Sequence, residues 1–197
     1  MTHTHALPLA NSTPKPNMLL GFTGLLPLLL SVPILLLQLW GPGIVISIVT
    51  TAAVVVYHVR RGQGLTSLDA LSILFSVTNA ILYLGFKNPV LVEHLDLIIY
   101  SVLLAQILYS FRTSEPWTAQ FARRSVSPEL WSTPGFLRAN RVTTLVWGAC
   151  FLVCDLLVLA LPLSNPAHAF APIALVVVTA VMTPRIARAS VRRPAAG

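Results

Sequence analysis

Six apolar runs, separated by short polar or proline–glycine breaks, set the pattern of this chain. They cover about residues 18–38, 43–59, 65–86, 90–111, 142–163 and 168–183. An α-helix rises about 1.5 Å per residue, so about 20 residues cross a hydrocarbon core of about 30 Å. Each run is near that length, with the second and sixth the shortest. The breaks carry turn chemistry: Gly41-Pro42-Gly43, Gly62-Gln63-Gly64, Asn88-Pro89 and Asn165-Pro166. Pro27 and Pro33 fall inside the first run and predict a kink, because neighbouring helices can satisfy the carbonyls that proline frees. Residues 1–17 are polar and proline-containing and read as a disordered tail. The chain thus reads as an all-α polytopic integral membrane protein with six transmembrane helices in one domain, 18–184, followed by a basic tail, 185–197.

Composition strengthens this reading. Charged residues make up 10% of the chain and hydrophobic ones 55%, against about 25% charge in a soluble domain. That leaves too few polar side chains to cover a water-facing surface. The net charge of +7 does not point to nucleic acid, because the basic residues lie between apolar runs, where a membrane surface attracts them. Numbering the connections alternately puts Lys15, Arg60, Arg61 and the arginines of 112–141 and of the C-terminal tail on one side, and only Lys87 on the other. By the positive-inside rule the arginine-bearing side is cytoplasmic, together with both termini. The expected partners are the bilayer, with anionic headgroups at the cytoplasmic face, and other membrane proteins.

The segment 112–141, RTSEPWTAQFARRSVSPELWSTPGFLRANR, is the one long break in the apolar pattern. Ser114-Glu115-Pro116, Ser127-Pro128-Glu129 and Thr133-Pro134 each place a capping group beside a proline suited to a first helical turn. Trp117 and Phe121 share a face if this part is helical, and Arg123 and Arg124 follow. The composition predicts a short amphipathic segment at the interface between the fourth and fifth helices, with Trp117, Phe121 and Trp131 among headgroups and the arginines at anionic lipid. A docking site for a cytoplasmic partner is the alternative.

Ionisable groups at membrane depth cost about 2.5–3.5 kcal/mol on insertion scales, so each is a site candidate. Asp155 is the deepest, and no Lys or Arg matches its depth. It either stays protonated or reaches a hydrogen-bond partner across the bundle. Asp69, near the start of the third run, reads as a cap. Asp69, Ser72, Ser76, Asn79 and Tyr83 recur at helical spacing, and Glu93, Asp96, Tyr100, Gln106 and Ser110 form a second, interrupted stripe. One reading makes the stripes interhelical hydrogen bonds that hold the bundle. The other makes them a polar path of a small proton-coupled transporter or channel, with Asp155 as proton acceptor. Cys150 and Cys154 are one helical turn apart and read as buried thiols. No catalytic motif stands out, so no enzyme activity, cofactor or metal is expected.

Particular residues carry a resemblance. An arginine turn (Val59-Arg60-Arg61) precedes a span ending before Lys87-Asn88-Pro89. The next span runs into FRTSEPWTAQFARR, and a later one contains VWGACFLVCD. This organisation resembles the bacterial intracellular septation protein A family and related polytopic proteins over roughly residues 24–163. The resemblance implies a multi-pass bacterial inner-membrane protein linked to cell-envelope maintenance or septation, with no established chemistry.

Overall fold

A computed structural model describes residues 23–27, 30, 34, 39–87, 94–162 and 165–192. Among these residues the regular structure is all helical. Helix α1 (Trp40–Arg60) leads through a turn, with Gly62 at φ +66°, to α2 (Ser67–Asn79). That positive φ favours glycine, which has no Cβ to clash. A π-helical continuation (Ala80–Gly85) prolongs α2. Helix α3 (Leu95–Ser110) precedes the loop, which holds a single turn, α4 (Ala119–Ala122), and a 3-10 turn (Pro128–Leu130). Two long helices finish the chain, α5 (Pro134–Ala160) and α6 (Pro166–Arg192).

Among the described residues, four helical stretches are long and apolar enough to cross a membrane: Trp40–Arg60, Ser67–Gly85, Pro134–Ala160 and Phe170–Val191. They correspond to the second, third, fifth and sixth apolar runs. The fourth run supplies α3, apolar but only 16 residues long. The first run lies mostly outside the described residues.

Two helix boundaries differ from those the apolar pattern suggests, the first of them because capping chemistry rather than hydropathy sets it. Helix α5 starts at Pro134 within the loop sequence: Thr133 is its N-cap, accepting from the Phe136 N–H at 3.3 Å, and proline suits the first turn. The expected loop 112–141 is shortened accordingly. Helix α6 continues through Pro184 to Arg192, so most of the expected basic tail is helical. Pro184 has no N–H to bond the preceding turn, and the long apolar face carries the helix past it.

The core lies among α2, α3, α5 and α6. Leu68, Leu71 and Phe75 share one buried cluster with Ile99, Leu103 and Ile107 and with Trp147, Phe151 and Cys154. Helix α5 is the central element, packing on α6 and α3, while α1 packs on α2. Close approach depends on Gly148, where a Cβ would come within 3.1 Å of Ile107 Cγ2. The outward faces carry Val45, Val49, Leu74, Leu152, Leu156, Leu159 and Val178, all exposed. In water this surface would be unstable, whereas acyl chains solvate it at no cost.

Candidate functional site

The loop end of the bundle concentrates the polar chemistry. Asp69 closes a capping box at the start of α2: its Oδ2 accepts from the Thr66 N–H (2.8 Å) and Thr66 Oγ1 (2.9 Å), while Thr66 Oγ1 accepts from the Asp69 N–H. The cap expected of Asp69 is therefore there, and it does more. Arg124 reaches in from the loop, donating from Nη2 to Asp69 Oδ2 at 2.8 Å and to the Gly64 carbonyl at 2.8 Å. The side chains of Asp69 and Arg124 are 0% and 6% exposed, so Arg124 lies in protein and not among headgroups.

His58, at the end of α1, completes the cluster. Its Nε2 lies 2.7 Å from Thr23 Oγ1 and 3.2 Å from Arg124 Nη1, and its Nδ1 lies 3.1 Å from Asp69 Oδ1. A guanidinium only donates, so Nε2 accepts, and the ring hydrogen sits on Nδ1 facing the carboxylate. The ring is thereby neutral, with Nε2 committed, while Nδ1 and Asp69 Oδ1 lie within ion-pair distance without the alignment of a hydrogen bond. Hydroxyl, imidazole and carboxylate follow one another as in a serine-protease relay. Here, however, the Nε2 lone pair that a general base would use is shared with a guanidinium. The arrangement locks four chain segments together.

Two aromatic residues of the loop, Trp117 and Phe121, are in the same lock. Trp117 and Phe121 are 5% and 2% exposed, with ring centroids 4.9 Å apart. The shared face expected of them is present, but it is turned to the core and not to headgroups. Trp117 Nε1 lies 3.1 Å from both Ser67 Oγ on α2 and Gln106 Oε1 on α3. Gln120 bonds the Ser67 N–H and Oγ. Thr118 donates to the Asn140 carbonyl and lies 2.9 and 3.0 Å from the hydroxyls of Thr143 and Thr144 on α5. The reason is polar accounting: a buried indole N–H needs an acceptor, and hydrocarbon offers none.

The outer part of the loop pairs within itself. Arg123 pairs with Glu115 at 2.6 Å and sits over the Trp131 ring at 5.1 Å. That hydrogen bond holds the Glu115 carboxyl below the usual carboxylate range. The Ser127 hydroxyl does the same to Glu129.

The stripe residues are distributed by partner. Ser76 lies 3.0 Å from Ser47 Oγ and 3.1 Å from Thr51 Oγ1, both on α1. Asn79 donates to its own helix at the Phe75 carbonyl. Tyr83 stacks on Trp40, and Gln106 serves Trp117. Asp155 is 8% exposed and accepts from Ser101 Oγ on α3 at 3.2 Å, the cross-bundle partner that its depth called for. Asp96 pairs with His168 of α6 at 2.8 Å. Cys154 donates to the Pro172 carbonyl at 3.7 Å. Glu93 lies outside the described residues. The candidate acids thus lie in three separate groups: Asp69 with Arg124, Asp155 with Ser101, and Asp96 with His168. A small cavity of about 30 Å³ opens beside the loop, lined in part by Thr118, Phe121, Asn140, Thr143 and Thr183. It has room for a water or two, far below the ~300 Å³ where small-molecule sites begin.

Sequence reasoning missed His58 and His168. Both stand at the ends of apolar runs, where histidine is ordinary, and their partners come from distant segments. The Gly62-Gln63-Gly64 break and the cap expected of Asp69 were the local signals at the α1–α2 turn. No protein-family model, no curated protein and no solved structure matches this chain.

Proposed function

We propose that this chain is a six-span protein of a bacterial inner membrane, with both termini cytoplasmic. It has no catalytic role and works through contacts with other membrane components in cell-envelope maintenance or septation. The observation that carries this reading is the pairing of Asp69, Arg124, Ser76, Gln106 and Asp155 with groups on other segments. Asp69, Arg124 and His58 are consumed in tying Arg124 of the loop to α1 and α2. The His58 lone pair is occupied, and Ser76, Gln106 and Asp155 each face a partner on another helix or the loop. Residues spent in this way build a stable platform whose outer surfaces meet lipid and other proteins. The family resemblance supplies the link to septation.

Orientation is tested by single cysteines at Glu129 and Ala167, both exposed, labelled with a membrane-impermeant maleimide in intact cells and in inverted vesicles. The expected pattern is Glu129→Cys reacting only in inverted vesicles and Ala167→Cys only in intact cells; labelling of both from one side sinks the six-span arrangement. The role itself is tested by depletion in the native host, with division-site placement and cell length as readouts. Proteoliposomes under an imposed pH gradient separate this from transport: a proton flux abolished by Asp155→Asn replaces the platform reading with the proton-coupled one.

A further inference from the structure

The end of the bundle opposite the loop holds a pair with an unusual proton requirement. His168, in the first turn of α6, is 5% exposed. Its Nδ1 lies 2.8 Å from the Leu161 carbonyl at the end of α5, and its Nε2 lies 2.8 Å from Asp96 Oδ2 at the start of α3. The other Asp96 oxygen accepts from the Leu97 N–H at 2.8 Å. A carbonyl oxygen only accepts, so Nδ1 carries a hydrogen. A neutral imidazole then presents a bare lone pair at Nε2, and an ionised carboxylate presents lone pairs in return. Contact at 2.8 Å between two acceptors is repulsive. The observed geometry therefore requires one proton more than a neutral histidine and an ionised aspartate hold between them.

We propose that Asp96 and His168 form a proton-binding clamp: with its proton the pair holds the start of α6 against α3 and the end of α5, and without it this corner opens. Three elements meet there. Helix α3 presents Asp96, with Tyr100 one turn deeper. Helix α5 presents the Leu161 carbonyl, with Asp155 deeper and already bonded to Ser101. Helix α6 presents His168. Among the described residues the ion pair of each group is with the other. Two donors fall short of the three or four protein ligands a zinc site takes, and the proton is the ligand the geometry calls for. In the orientation proposed above the clamp faces the medium. Only the compartment whose pH it reads depends on that orientation.

Cys154 is a built-in reporter, since it is fully buried and bonded to Pro172, one turn along α6 from His168. The Cys150→Ala protein in detergent micelles is treated with a small maleimide between pH 6 and pH 9, alone and with Asp96→Asn. The asparagine amide donates to Nε2 of a neutral imidazole, so this variant keeps the clamp without the extra proton. Its own rate also divides out the ordinary rise of thiol reactivity with pH. Equal rates are expected at pH 6. At pH 9 the protein with Asp96 should react about tenfold faster or more, the loss of one charge-assisted hydrogen bond. A ratio that stays flat from pH 6 to pH 9 overturns the clamp. Should Asp96→Asn fail to fold, imidazole ¹⁵N spectra of the unsubstituted protein decide instead: a His168 ring whose proton occupancy and hydrogen bonding do not change across that range has the same overturning force.

Discussion

Replacing Arg124 by alanine removes the cation that the loop inserts against Asp69. The carboxylate then stays buried, at 0% side-chain exposure, with Thr66 supplying its remaining donors at Oδ2. The Gly64 carbonyl and His58 Nε2 lose a donor as well. Breaking one half of a buried ion pair costs about 3–5 kcal/mol, because the surviving charge is left uncompensated. The loss of a hydrogen bond to a charged group alone sets a floor of about 1.5 kcal/mol. The expected destabilisation of Arg124→Ala is therefore about 3 kcal/mol or more, measured by reversible unfolding in mixed micelles. Asp69→Asn and the double variant complete a mutant cycle. The double variant should be less destabilised than the two single effects summed, since the neutral amide put in place of the Asp69 carboxylate leaves no charge behind. An arginine lying at a lipid surface predicts something different: a change within about 0.5 kcal/mol, as for ordinary surface positions. A result that small for Arg124→Ala, or a cycle with no coupling, refutes the docked-loop account.

Trp117→Phe keeps most of the apolar volume but leaves Ser67 and Gln106 without their shared donor, and should cost about 1–3 kcal/mol, whereas Trp117→Ala adds a cavity and should reach about 3–5 kcal/mol; a Trp117→Phe stability unchanged within error in the same unfolding assay would falsify a hydrogen-bonding role for the indole. The depressed Glu115 carboxyl contributes stability that is present above the ordinary carboxylate range and lost as pH falls through its folded value. The pair with Arg123 is solvent-exposed, so acid titration should show Glu115→Gln differing from the parent by less than ~1 kcal/mol at neutral pH and converging with it in acid. Ser101→Ala removes the Asp155 partner at membrane depth and should cost about 0.6 kcal/mol, up to roughly 1.7; a stability unchanged within error would show that Asp155 is satisfied elsewhere.

Much of the architecture was legible because hydropathy is local. A run of about 20 apolar residues is read from the chain without knowing what surrounds it, and the runs containing α1, α2, α5 and α6 are helices of spanning length. The cap at Thr133 was equally local, since a hydroxyl, a proline and a first turn are neighbours in sequence, whereas the Ser127 hydroxyl turns to Glu129 and caps no N–H. The loop residues were only half legible. The spacing of Trp117 and Phe121 announces a shared apolar face, but an apolar face has the same composition whether lipid or protein covers it. The indole N–H settles it, and its acceptors, Ser67 and Gln106, come from two other helices. Likewise Arg124 beside Arg123 looks like one more basic residue at a membrane surface. Yet Arg123 stays at the rim with Glu115, while Arg124 turns inward to a carboxylate 55 residues earlier.

By itself, then, the sequence determined the helical class, four apolar helices of spanning length and the Thr133 cap, all of which follow from residues near one another in the chain. Tertiary structure alone decided which polar groups meet: Arg124 with Asp69 and His58, Asp155 with Ser101, and His168 with Asp96. In a membrane protein that decision is the specific part of the fold. Lipid solvates every apolar surface about equally well, whereas each buried polar atom must find its own partner.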